Sequence, residues 1–299
     1  MVITGASSGI GLATAQAFAS EHARLLLAAR GHDALAAAAG ECQQLGAVAV
    51  AQTADVTQAD SVAALRERAV AAFGRIDVWV NCAAVLLFGR FEDVPPEDFR
   101  RVIETNVFGY VYGARTALSQ FRAQAEGGTL INVSSVLGTV SEPYVSAYVT
   151  SKFAIRGFTA CLRQELREVP NIHVCLVRPA AMDTPVYQHA GNYLGRKARS
   201  IVPVYDATRV AKAIVRLSRR PRREVAIGGL GHAMILGSRM APALVEWAVA
   251  RFGPRLQFQD QPQPRWSGNL DASMTEGSVT GGWRSYWEGK LVSWRKGGG

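Results

Sequence analysis

Read as a string of apolar and polar positions, the chain alternates short continuous apolar runs with longer segments of helical period. The runs are RLLLAA at 24–29, AVAVAQT at 47–53, IDVWVN at 76–81, TLINVSS at 129–135, IHVCLV at 172–177 and REVAIGG at 223–229, with Met1, Val2 and Ile3 as a brief first one. Segments 58–74 and 97–124 between them carry helical spacing. Short apolar runs separated by helices read as βαβ units, and runs that are apolar at successive positions are strands buried on both faces. The predicted fold class is therefore α/β: a doubly wound parallel sheet, Rossmann-like, in three layers α/β/α. The first run is shorter than the roughly five or six residues usual for a strand, which fits a truncated start as well as a short first strand.

The pattern holds to about residue 258, which sets a single domain over 1–258 and a C-terminal extension over 259–299. That extension is rich in Gly, Pro and Ser without sustained period and reads as a tail, disordered or draped. Trp266, Trp283, Trp287 and Trp294 argue for docking, since large ring areas seek cover. Just before it, 232–252 reads as a buried or oligomer-facing helix pair broken near Pro242.

Composition narrows the class. A chain of 299 residues that is 48% hydrophobic has ample material for a core. No apolar run approaches the roughly 18 residues of a membrane span, and the start lacks a signal-peptide pattern, so a cytoplasmic protein is expected. Cys42, Cys82, Cys161 and Cys175 show no paired spacing and the five histidines no ligand pattern, which supports neither a disulfide framework nor a metal site. The net charge of +9 crowds into 196–223, but only Tyr205 interleaves it, so nucleic acid is not expected. A solvated basic helix face accounts for it; peripheral contact with an anionic membrane is the rival.

Candidate chemistry begins at VITGASSGIG. Gly5, Gly9 and Gly11 follow the first strand and open a helix, where glycines admit a pyrophosphate close to backbone and the helix N-terminus supplies free N–H groups. Ser7, Ser8 and Ile10 belong to the same turn. The second strand ends in Ala28, Ala29 and Arg30, with no carboxylate for a ribose hydroxyl but an arginine fit for a 2'-phosphate. This favours NADP(H) over NAD(H), although a solvated loop arginine would look the same. Asp55, with Val56 beside it, follows the third strand and fits either an adenine contact or a helix cap.

Tyr148 and Lys152 stand four apart in a helical stretch and so share a face. Alone they read as a surface pair. With Thr4, the three glycines, Asn81, Asn106 and Ser135 in this order, the chain resembles the short-chain dehydrogenase/reductase (SDR) family from residue 1 to about 230. A phenol with pKa near 10 is a poor acid and base at neutral pH unless tuned, and an ammonium one turn away favours the phenolate.

The resemblance implies Tyr148 as acid/base, Lys152 also as anchor of the nicotinamide ribose, Ser135 as orienter of the substrate oxygen and Asn106 as support of a water-linked proton relay. It also puts Asn81, Pro179 and Thr184 in the cofactor site. The chain departs from the family at Cys82, Ala84 and Ala180, the last a methyl where a glycine is typical. Phe88, Tyr144, Met182 and Tyr187 are candidate pocket walls, and 185–205 falls where the family keeps a mobile lid.

The expected function is an NADP(H)-dependent oxidoreductase interconverting an alcohol and a carbonyl on an apolar small molecule, as a homo-oligomer by resemblance. The rivals are a noncatalytic nucleotide-binding scaffold and a membrane-peripheral reductase of lipid-like substrates.

Overall fold

The computed structural model describes residues 1–273 and 277–297, with side chains as far as Lys290. Seven strands form one parallel sheet: β1 (Val2–Thr4), β2 (Arg24–Ala29), β3 (Val48–Thr53), β4 (Val78–Asn81), β5 (Gly128–Val133), β6 (Ile172–Pro179) and β7 (Glu224–Ile227). Their spatial order is β7-β6-β5-β4-β1-β2-β3. The chain lays β1 to β3 outward in one direction and then returns to build β4 to β7 in the other. The order reverses between β1 and β4, the place where such sheets open a crevice at the carboxyl ends of their strands.

Period-two side-chain direction explains why the apolar runs are continuous. Ile3, Leu25, Leu27, Val80, Ile131 and Val177 face one layer, packed on α1 (Gly9–Ala19), α2 (His32–Gln44) and α7 (Thr208–Arg219). Val2, Leu26, Trp79, Leu130 and Val174 face the other, under α3 (Ala59–Phe73) and α5 (Gly109–Ala123). The inner strands β1, β2, β4, β5 and β6 therefore have two buried faces, while the edge strands β3 and β7 are partly exposed; this is the three-layer arrangement expected from the sequence.

The segment 97–124 is not one helix. It divides into α4 (Pro96–Ile103), a π-helical turn (Glu104–Phe108) and α5. The turn places the Asn106 carboxamide in a buried slot where its Oδ1 accepts from the Val85 N–H at 2.8 Å and its Nδ2 donates to the Val85 carbonyl at 2.9 Å. The two bonds pin the loop after β4, and α-helical spacing alone gives no hint of them.

Segment 232–252 does break at Pro242, into α8 (Gly229–Met240) and α9 (Pro242–Gln257). Its outer face is not buried: Leu236, Met240, Leu244 and Trp247 are exposed. No helix among the described residues is long and apolar enough to cross a membrane.

Past residue 258 the chain is draped over the domain. Phe258–Pro262 pairs antiparallel with Arg196–Ala198, and α10 (Trp283–Gly297) closes the chain. Trp283 is buried, with its backbone N–H on Asp183 Oδ1 at 2.8 Å, and Trp287 Nε1 donates to the Ser200 carbonyl at 2.9 Å while Arg199 lies over its ring. The Trp294 side chain lies outside the described residues.

Candidate active site

The carboxyl ends of the strands open into one cleft of about 690 Å³. At its centre is the glycine turn. Gly5 has φ +69°, and a Cβ there would lie 2.7 Å from the Ala83 Cα; a Cβ on Gly11 would lie 2.0 Å from the Gly5 carbonyl oxygen. The chain crosses itself too closely for any side chain, which explains glycine at both positions. Thr4 locks this crossing to β4 by accepting from the N–H groups of Cys82 and Ala83 at 3.2 and 3.4 Å. Ser7, Ser8, Gly9 and Ile10 line the cleft at the opening of α1.

At the other wall stand Ser135, Tyr148 and Lys152, all lining the same cleft. α6 (Ser146–Glu165) presents Tyr148 and Lys152 on one face. Lys152 is buried; its Nζ donates to the Val133 carbonyl at 3.2 Å and lies 5.3 Å from the centroids of both the Tyr148 and Tyr110 rings. Tyr110 donates to that same carbonyl at 2.8 Å. Ser135 begins the turn after β5, its Oγ accepting from Leu137 N–H at 3.1 Å, while Ser134 is spent on the Lys152 carbonyl at 3.1 Å.

Burial pushes the Tyr148 phenol well up from its ordinary value, the nearby Tyr187 adds to it, and the Ser135 hydroxyl pulls the other way; Cys82 and Glu142 raise it further. Burial also lowers the Lys152 ammonium to about 8. In the protein by itself desolvation dominates both shifts, so Tyr148 is a protonated acid across neutral pH.

Other predicted residues divide. Val56, Pro179, Thr184, Met182 and Tyr187 line the cleft, whereas Phe88 and Tyr144 do not: they pack behind it against Phe258, with ring centroids 5.5 and 6.0 Å away. Asn81 turns its carboxamide into the interior, accepting from Trp79 Nε1 and donating to Asn132 Oδ1, both at 2.9 Å, so its side chain is a structural tie between strands. Asn106 makes no bond to Lys152; besides Val85 it donates to Ser151 Oγ at 3.1 Å. Asp55 lines the cleft, but its Oδ1 accepts from both the N–H and hydroxyl of Thr57, at 2.9 and 2.8 Å, an Asx turn ahead of α3, whose N-cap is Gln58. The Ala180 methyl is received by two glycines, since a Cβ at Gly228 or Gly231 would come within 2.9 or 3.3 Å of it.

Arg30 lines the cleft and is half-buried, with its donors engaged. Its Nη1 and Nη2 donate to the carbonyl oxygens of Leu270 and Asn269 at 2.7 and 2.5 Å. The same strap sets the Ser278 carbonyl on the Gly9 N–H at 2.8 Å. Two residues escaped sequence reasoning altogether, Glu142 and Gln257, which line the cleft with buried carboxyl and amide oxygens that have no protein partner among the described residues. Glu142 had a signal in the sequence, as the one acid between Glu126 and Glu165.

Comparison with known proteins matches residues 1–193 to the short chain dehydrogenase family. The chain is 36% identical over 296 residues to an uncharacterized oxidoreductase of Bacillus subtilis, YxnA, covering 96% of this chain and 83% of that one. Among solved structures it resembles an alcohol dehydrogenase from the archaeon Thermococcus sibiricus complexed with 5-hydroxy-NADP, at 30% identity and TM-score 0.65 over 76% of this chain and 94% of that one. A short chain dehydrogenase/reductase from Burkholderia phymatum in complex with NAD aligns at 26% identity and TM-score 0.73, over 81% and 93% of the two chains.

Proposed function

From the premise that this chain belongs to the short-chain dehydrogenase family, we propose that it is an NADP(H)-dependent oxidoreductase interconverting an alcohol and a carbonyl on an apolar small molecule, with Tyr148 as acid/base. The observation that carries this reading is the meeting of Ser135, Tyr148 and Lys152 in one cleft with the glycine turn.

The residues fit a dinucleotide. The close crossing at Gly5 and Gly11 leaves the backbone bare, and the N-terminus of α1 offers N–H donors to phosphate oxygens. The Ser278 carbonyl on Gly9 and the Asn269 and Leu270 carbonyls on Arg30 occupy donors that anionic oxygens of a cofactor satisfy better, because charged acceptors make stronger hydrogen bonds than neutral ones. Binding thus exchanges the strap's carbonyls for phosphate. When bound, the nicotinamide supplies or takes up the hydride.

The chain does the rest. In reduction, Ser135 Oγ holds the carbonyl oxygen and Tyr148 delivers its proton to the oxygen as negative charge grows there. Lys152 brings its ammonium to the nicotinamide ribose and stabilises the phenolate left behind. Asn106 supports the relay that returns the proton, acting through the Val85 loop and Ser151 that it holds. The substrate end is walled by Leu137, Val145, Val202, Met234, Val249 and Phe252, which suits an apolar body. Homo-oligomerisation belongs to the same proposal, supported by the exposed apolar face of α8 and α9.

The cofactor preference rests on Arg30, with Ala28 and Ala29 in place of a ribose-binding carboxylate. Arg30→Ala is expected to weaken NADPH binding roughly tenfold or more, the scale of a lost charge-assisted pair, while NADH binding changes little. Fluorescence titration of both cofactors checks it. Equal losses for the two would remove the 2'-phosphate role.

A further inference from the structure

The loop from Ser135 to α6 lines the cleft, and it carries a carboxylic acid, Glu142, close enough to Tyr148 and Tyr187 to raise both phenols. Glu142 lines the cleft, its Oε1 is buried, and no protein donor reaches that atom among the described residues. Nor does it form an ion pair with any described lysine, arginine or histidine. Gln257, which lines the same cleft, is 4% exposed and its Oε1 likewise lacks a partner among the described residues. Tyr144, two residues after Glu142, meets Phe258, next after Gln257, edge to face with centroids 6.0 Å apart, so the two chain segments pack together.

Two bare acceptors lining one cleft are unusual, because a buried oxygen without a donor forfeits its hydration and gains nothing for it. The loop is also strained. Tyr144 has φ +68°, a left-handed conformation that bulky residues avoid, held by the Gly89 N–H on its carbonyl at 2.9 Å. Strain of this kind persists where surrounding structure over-determines it, commonly at ligand sites. Burial pushes the Glu142 carboxyl up to about 7, as expected of an acid whose charge awaits a partner.

We propose that Glu142 and Gln257 form a polar subsite that receives a hydrogen-bond donor of the substrate, so that the preferred substrate is an apolar carbonyl compound or alcohol bearing a second donor group, a hydroxyl or an amine, away from the reacting carbon. This rests on the oxidoreductase reading given above and adds the substrate class to it. Neither oxygen touches the reacting group in that arrangement; they choose and orient the molecule.

The test takes the full-length protein with NADPH and the ketone it reduces best from a general panel, together with analogues whose remote end carries methyl, hydroxyl or a primary amine. The wild type is expected to favour a donor-ended analogue over the methyl-ended one by about tenfold or more in kcat/KM, the worth of a hydrogen bond to a buried or charged acceptor. Glu142→Leu is expected to erase or invert that ratio while keeping turnover of the methyl-ended ketone, and Gln257→Leu to diminish it. Glu142→Gln, which keeps a carbonyl acceptor but no charge, retains a preference for hydroxyl and loses one for amine, so the two donor classes are told apart and the result does not rest on one variant's folding. NADPH affinity stays at the wild-type value in all three. Equal or better use of the methyl-ended ketone by the wild type overturns the subsite while leaving the oxidoreductase reading intact. Failure to reduce any ketone of the panel sinks the oxidoreductase reading itself, and the subsite with it.

Discussion

Tyr148→Phe is expected to lower the rate of carbonyl reduction by roughly 10²–10⁴-fold, the usual contribution of a positioned general acid, with NADPH binding near the wild-type value. The substitution removes one oxygen and keeps the ring that packs on the cluster around Leu86, Phe88 and Val145, so the fold survives it. The pH dependence has a definite sign. Because burial raises the phenol's pKa, it stays protonated through neutral pH and the reduction rate is flat there. Alcohol oxidation needs the phenolate, so its kcat/KM rises as pH increases toward the alkaline side. Steady-state rates of the two directions across pH check both statements; a reduction rate that falls steeply between weakly acid and neutral pH would assign the proton to another group.

Lys152→Met is the second large effect. Loss of the ammonium removes the charge that stabilises the developing phenolate and the donor to the nicotinamide ribose, so turnover drops by roughly 10²-fold or more and, unlike Tyr148→Phe, NADPH affinity falls as well. The fold tolerates the change, since Tyr110 continues to donate to the Val133 carbonyl that Lys152 shared. Stability moves the other way. The lysine's pKa is about 8 in the folded chain and near 10.5 when exposed. Between those values the unfolded chain holds the proton more tightly, so the wild type gains stability as pH rises through this window and loses it as pH falls through 8. The methionine variant, having no charge to bury, is therefore expected to melt higher than the wild type at neutral pH, with the difference shrinking toward pH 10. Thermal melts at several pH values measure this directly.

Features set by local pattern were legible in the sequence. The seven apolar runs became the seven sheet strands because doubly buried parallel strands leave no polar positions to blur the signal, and Gly5 and Gly11 announced a backbone crossing that only glycine permits. The i, i+4 spacing did place Tyr148 and Lys152 on one face. What escaped the sequence depends on partners far away along the chain. Asn81 at the end of β4 stands where the family resemblance puts a cofactor residue, but Trp79 and Asn132 engage its amide. Arg30 looked free until carbonyls about 240 residues later took its donors. The methyl of Ala180 looked like an obstruction, yet Gly228 and Gly231 make room for it. The rise that burial gives the Tyr148 phenol in the protein by itself is not legible for the same reason: Lys152 is visible in the spacing, whereas desolvation belongs to the assembled cleft.

The central claim is that a hydride and a proton reach the substrate in this cleft, the proton from Tyr148. The most direct measurement supplies NADPH deuterated at the transferable nicotinamide position, together with a reducible ketone, and follows the label in the product alcohol by mass spectrometry for wild type and Tyr148→Phe. The account predicts one deuterium on the carbinol carbon of the wild-type product and almost no labelled alcohol from the variant over the same interval. Unlabelled alcohol from the wild type, or labelled alcohol formed at the wild-type rate by Tyr148→Phe, would contradict it.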